Sequence, residues 1–328
     1  MACYDKITKR NYSIDILKGI CAVLVVFLHV KTSIFDITIL CRCAVPCFFM
    51  ISGYLLFDKN CFSIIKIRRS IRHILKIILW STFLFAIVKE GTFIYNRSFY
   101  LPSLKDWILC FVLNDNPFAF HLWYLNAYLY VLIIVLLAHK YRLIGYMYLL
   151  IPFLLLGDLI FGKYSMLILG NTYKLFVVRN FLFVGLPYFL LGSFVKTREY
   201  KIGSINRKYL YGGVILFTIT SYMESWFLMY FNCCSPREHY ISTTFMTLFL
   251  FILILSYNVG QSTWLSNFGG KYSLYVYIIH PLPMWGVKYI VTLLQCKILL
   301  ECYSVIAPLI VLGLTLLIVK ILKRYKVI

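Results

Sequence analysis

Residues Asp15 to His29 read DILKGICAVLVVFLH. Titratable groups stand at both ends, Lys18 lies between them, and almost everything else in the stretch is apolar. A membrane-spanning helix needs roughly 20 mostly apolar residues, and this stretch with its flanks supplies them. Ionisable side chains inside such a span are costly, so they tend to face the interior of a helix bundle and to mark function. Read this way, the stretch makes the protein a bundle of membrane helices with chemistry inside it.

The rest of the chain agrees. Of 328 residues, 62% are hydrophobic and 14% charged, and the mean hydropathy is +0.83. A soluble domain usually carries about 25% charged residues. The net charge of +21 would suggest nucleic acid in a soluble chain. In a membrane protein it is the signature of basic cytoplasmic loops, so no nucleic-acid partner is expected. The eleven cysteines are scattered. The closest are Cys41, Cys43 and Cys47 and the pair Cys233–Cys234. None stands at zinc-ligand spacing, so no metal is expected and the cysteines read as small packing residues. The basic residues Lys6, Lys9 and Arg10 precede the first apolar run, but no small-residue cleavage site follows it. The first span is therefore expected to be retained.

Ten windows qualify as spans, near 13–30, 38–57, 71–90, 121–138, 143–160, 176–196, 209–226, 241–257, 271–294 and 302–322. The weakest, 143–160, contains Pro152 and Asp158. With both termini in the cytoplasm, the outside loops hold only Lys31, Arg97, Lys105, Lys163, Lys174, Arg237 and Lys297, and most other Lys and Arg fall inside, as the positive-inside rule requires. The expected fold is all-α and polytopic, with about ten transmembrane helices around a central polar cavity. Residues 1–328 form one domain, without repeats or linkers. The long outside connection 91–120 contains Pro102, Trp107 and Pro117 and is expected along the membrane surface or re-entering it.

The ionisable residues within the spans sort by depth. Lys18, Arg69 and Arg72 fall towards the inner side. His29, Arg42, Lys89, His121, Arg179 and Glu224 fall towards the outer side, and His280 lies near the middle of the ninth span. Lys18 and His29 are eleven residues apart, which on a helix is about 20° out of line and roughly 16 Å along the axis. Asp15 is three residues before Lys18 and can pair with it. The alternative is a snorkelling Lys18 and a structural His29. Arg69 and Arg72 share a helix face and can grip phosphates with forked hydrogen bonds; the alternative is an ordinary basic helix end facing anionic lipid. In HLWYL (121–125), Trp123 and Tyr124 read equally as interface anchors. In YSLYVYIIHPL (272–282), Pro281 frees a backbone carbonyl that His280 can satisfy.

These stretches, with RCAVPCFFMISGYLLF (42–57) and RRSIRHILK (68–76), occur together and in order. The chain resembles the acyltransferase-3 family of bacterial membrane acyltransferases, over almost its whole length and in the form that lacks a fused extracellular domain. The family pattern of a basic residue, ten others, then His falls on Lys18 and His29; the family more often has Arg at the first position. Its paired arginines after the second span fall on Arg69 and Arg72. The proline that often follows is replaced by His73-Ile74-Leu75-Lys76.

The resemblance implies transfer of an acyl group, usually acetyl, from cytoplasmic acyl-CoA as co-substrate to a hydroxyl or amine. The acceptors are mostly sugars of surface polysaccharides or lipid-linked glycans, and the location is the bacterial inner membrane. Lys18, Arg69 and Arg72 are then expected to hold the donor phosphates and His29 to act as general base or as a nucleophile forming an acyl-histidine. Arg42, or the Ser52–Gly53 region, would stabilise the oxyanion. His121, Trp123, Arg179, Glu224 and His280 would bind the acceptor. Partners are membrane lipid, acyl-CoA and a glycan, and a homo-oligomer is compatible with this reading. The rival is a glycan transporter or flippase, which would show repeated halves and paired broken helices and would release no CoA.

Overall fold

The computed structural model describes residues 10–30, 36–58, 61–95, 97–233, 239–257, 259–294 and 297–325. Lys6, Lys9, Lys31, Cys234 and Arg237 lie outside them. In chain order the helices are α1 (Tyr12–His29), α2 (Thr38–Cys41), α3 (Ala44–Leu56), α4 (Ile64–Tyr95), α5 (Leu104–Leu113), α6 (Trp123–Lys140), α7 (Ile144–Phe161) and α8 (Ser165–Leu169). There follow α9 (Leu175–Val178), α10 (Leu186–Thr197), α11 (Glu199–Gly203), α12 (Arg207–Tyr230), α13 (Ile241–Ser256), α14 (Trp264–Ile279), α15 (Pro281–Leu294) and α16 (Lys297–Arg324). Among the described residues, strand is confined to a small antiparallel pair, β1 (Phe57–Asp58) with β2 (Cys61–Phe62).

Among the described residues, six segments are long and apolar enough to cross a bilayer: Tyr12–His29, Thr38–Leu56, Ile64–Phe93, Phe120–Lys140, Ile144–Phe161 and Val305–Arg324. Two shorter apolar helices, Phe181–Thr197 and Ile241–Ser256, accompany them. The protein is a polytopic, all-helical membrane protein. Every expected window is helical, but three are not single rods. The second breaks at Arg42–Cys43 between α2 and α3. The sixth, 176–196, breaks at Arg179–Asn180, between α9 and the π-helical turn that leads into α10. The ninth, expected as one span over 271–294, is two helices that meet at His280–Pro281. Proline lacks the N–H that would continue the ladder and its ring crowds the preceding turn, so α14 ends there.

The chain forms two compact units. One contains residues 4–48, 200–225 and 241–328. Here α1 packs along α14 and touches α13 and α16, around a core of Ala22, Val26, Val30, Phe268, Val276, Ala307 and Val311. The α1–α14 approach is backbone to backbone: a Cβ on Gly269 would overlap the Asp15 carbonyl oxygen. Small residues serve helix contacts in membranes in this way.

The other unit contains residues 49–199 and 226–240. Here α6 packs on α4, and α10 packs on α7. A short π-helical turn, Phe181–Gly185, leads into α10 and also touches α6 and α7. Asn180 builds this turn. Its side-chain oxygen accepts from Leu182 N (2.9 Å) and Phe183 N (3.1 Å), while its amide donates to Val177 O (2.8 Å) and Phe176 O (3.2 Å).

Candidate functional site

At the start of α1, Asn11 caps the helix by accepting from Ile14 N at 3.2 Å. One turn on, the buried Asp15 carboxylate accepts from Lys18 Nζ at 3.0 Å and from Arg10 Nε at 2.7 Å. The expected Asp15–Lys18 pair is formed; Arg10 is a partner that the spacing did not single out. Two cations share one carboxylate, so the trio keeps a net positive charge. The side chains of Lys18 and Arg10 are 27% and 46% exposed, which leaves both able to meet an anion.

At the far end of α1, the His29 ring stacks on His280, with centroids 5.2 Å apart and planes at 26°. His29 is half-buried and His280 is fully buried. The α14–α15 break explains how His280 is held. Pro281 cannot donate to Tyr277 O, the carbonyl four residues back. His280 Nδ1 donates to that oxygen at 2.8 Å and to Val276 O at 3.2 Å. Carbonyls only accept, so Nδ1 carries a proton. The carbonyl-satisfying role is thus filled, and the same anchored ring is the surface on which His29 lies.

In the same unit, Arg42 is half-buried at the α2–α3 junction. Glu224 on α12 accepts from Ser242 N at 3.1 Å, which puts a carboxylate at the N-terminus of α13, where negative charge is favoured. Ser221 and Ser242 add a hydroxyl–hydroxyl bond of 2.7 Å. Glu224 therefore has structural work to do, whatever else it binds.

In the other unit, Arg69 and Arg72 stand exposed on the first turns of α4. Neither is paired with an acidic residue among the described residues. His121 is buried edge-on against Phe85, with centroids 4.7 Å apart. Trp123 and Arg179 are brought together: the guanidinium carbon lies 5.8 Å from the indole centroid, within cation–π range.

Two neighbours of Arg179 went unremarked in the sequence. Asn114, in the left-handed conformation (φ 64°) at the end of α5, accepts from Phe181 N at 3.0 Å. Its buried amide nitrogen has no hydrogen-bond partner among the described residues. Asp115, half-buried in the loop, feels the Arg179 charge. Burial pushes its carboxyl above the usual carboxylate range, Arg179 pulls it down, and Asp106 adds to the rise. A loop Asn-Asp pair carries no sequence signal of burial, which is why only folding reveals it.

A second buried polar cluster in this unit involves none of the expected site residues. Asp158 Oδ2 and His239 Nδ1 are 2.8 Å apart, with side chains 6% and 3% exposed. Lys163, also buried, lies 4.6 Å from the centroid of Tyr240. Asp158 was visible as a carboxylate inside an apolar run, but its partner sits on a connecting segment with no pattern to betray it.

The profile of the acyltransferase-3 family, described as an acyltransferase domain, matches residues 11–323. No curated protein matches the chain, and no solved structure does.

Proposed function

The chain belongs to the acyltransferase-3 family, and on that premise we propose that this membrane acyltransferase moves an acyl group, acetyl in the first instance, from cytoplasmic acyl-CoA to a sugar hydroxyl of a surface polysaccharide or lipid-linked glycan. His29 takes the hydroxyl proton. The oxygen attacks the thioester carbon, and the C–S bond breaks as the tetrahedral intermediate collapses. The proton passes from the imidazolium to the departing thiolate, so the products are the sugar ester and free CoA. Arg42 offers its charge to the oxyanion. His280 acts through His29 by fixing its plane. Lys18, Arg69 and Arg72 keep the donor-binding role assigned from the sequence, and His121, Trp123, Arg179 and Glu224 the acceptor-binding role. The membrane is the bacterial inner membrane, crossed by about ten spans.

The stacked pair is the observation that carries this reading. His29 sits on α1, which packs along α14, and its ring stacks on an imidazole that backbone carbonyls anchor. A ring held in one plane is oriented in advance for a proton transfer.

The test is CoA release from acetyl-CoA by detergent-purified protein, with and without glycan extract. His29→Ala should cut the rate on the order of 10²–10⁴-fold, the range of general-base contributions, while the protein stays monodisperse. Near-wild-type turnover in this variant removes the assignment, and a wild-type protein that releases no CoA removes acyl transfer itself. A labelled protein band from radioactive acetyl-CoA without acceptor, lost in His29→Ala, would select the acyl-histidine route.

A further inference from the structure

One cleft belongs to none of the roles assigned above. It has a volume of about 470 Å³ and is lined by Cys61 and Phe62 of the β1–β2 pair and by His139, Lys140, Arg142 and Ile144 around the α6–α7 turn. Phe62 is buried, with its ring stacked on Phe189 at 5.6 Å, so the floor is apolar and fixed. The rim is cationic: Lys140 and Arg142 are exposed and His139 is half-buried. None of the three is ion-paired among the described residues.

The turn that presents these cations is built against its own preference. Tyr141 N bonds back to Leu137 O (3.0 Å), Arg142 N to His139 O (3.2 Å) and Leu143 N to Ala138 O (2.8 Å). The last of these spans five residues, the closure of a Schellman ending, and Arg142 occupies its left-handed position at φ 58°. Glycine is the usual residue there because it has no Cβ to clash. An arginine in that conformation is strained, and strain of this kind is found where a side chain is needed in one place.

We infer that this cleft binds the phosphorylated nucleoside end of acyl-CoA, the base against the apolar floor and a phosphate between Lys140 and Arg142. The identity of the ligand rests on the acyl-transfer reading; the recognition of phosphate rests on the cleft alone. The volume falls in the range of small-ligand sites, about 300–1,000 Å³. The strand pair that forms one wall runs directly into α4, on which Arg69 and Arg72 rise roughly 8 and 12 Å along the axis from Ile64. The nucleotide of CoA carries phosphate on two of its ribose oxygens. Cations at two levels of one unit suit a ligand with phosphates on both sides of its sugar.

The experiment titrates adenosine 3′,5′-bisphosphate into the full-length protein by calorimetry, in detergent and in phosphatidylcholine nanodiscs. Wild type should bind it, and adenosine without phosphate should bind at least tenfold more weakly. Lys140→Ala and Arg142→Gly should each weaken the bisphosphate tenfold or more. Arg142→Gly should at the same time keep or raise the thermal midpoint, because it relieves the left-handed arginine; loss of binding without loss of stability separates recognition from folding. Unchanged binding in both variants, or none in wild type, overturns the site. So does a thermal stabilisation by phosphatidylglycerol that the same variants abolish while the bisphosphate has no effect, since the cleft then holds a lipid headgroup. If wild type binds the bisphosphate in this variant-sensitive way yet releases no CoA from acetyl-CoA, the cleft stands and the transfer reaction falls.

Discussion

Single side chains here do two jobs where the backbone forces them to. His280 repairs the ladder that Pro281 breaks, and in doing so becomes a fixed platform for His29. If His280 acts through His29, His280→Gln should lower kcat by about one to two orders of magnitude and leave the KM for acyl-CoA nearly unchanged. An equal rise in KM would place His280 at the donor instead. Asp115 offers a test by pH. The folded protein holds its proton more tightly than the unfolded chain does, since burial outweighs Arg179. Its contribution to stability is thus fully present below the unfolded carboxylate value, about 3.9, and is lost as pH rises through the raised folded value. Asp115→Asn should therefore gain thermal midpoint over wild type at pH 7, and the gain should shrink as pH falls towards 4. A gain that is constant with pH, or that grows in acid, contradicts the burial of that carboxyl.

Between elements, the decisive contacts are close approaches and buried hydrogen-bonded pairs. The α1–α14 seam depends on Gly269 lying against the carbonyl of Asp15. Because the obstacle is backbone, α14 has to move when a methyl is added, and overpacking of this kind costs about 1–3 kcal/mol. Gly269→Ala should thus lower the unfolding midpoint and, through the displaced Asp15–Lys18 pair, raise the KM for acyl-CoA. Loss of stability with an unchanged KM would detach Lys18 from the donor. In the other unit, the Asp158–His239 pair fastens the segment before α13 to the end of α7. Removing one partner and leaving the other buried without its hydrogen bond typically costs about 1–3 kcal/mol, more for a charged group. Asp158→Ala should show that loss in denaturant titrations; a variant as stable as wild type would mean that the pair is ornamental.

For the molecule as a whole, the distribution of Lys and Arg predicts both termini in the cytoplasm and an even number of crossings. Reporter fusions at Arg10 and Arg324 should both read cytoplasmic, and a fusion in 97–103 should read external; a terminus on the far side would remove the ten-span arrangement. Sequence alone determined the class, the helical windows and the Lys18–His29 stripe, because apolar length and a period of 3.6 are local properties that survive any packing. It also showed Asp15 in reach of Lys18 and His280 in reach of a freed carbonyl, since these lie within one turn. Tertiary structure alone decided that His29 lies on His280, that Arg179 lies over Trp123, that Asp158 meets His239 and that the α6–α7 turn closes a cleft with Phe62. Those partners are separated by tens to hundreds of residues. What brings them together is the mutual fit of packed helices, for which linear order carries no local signal.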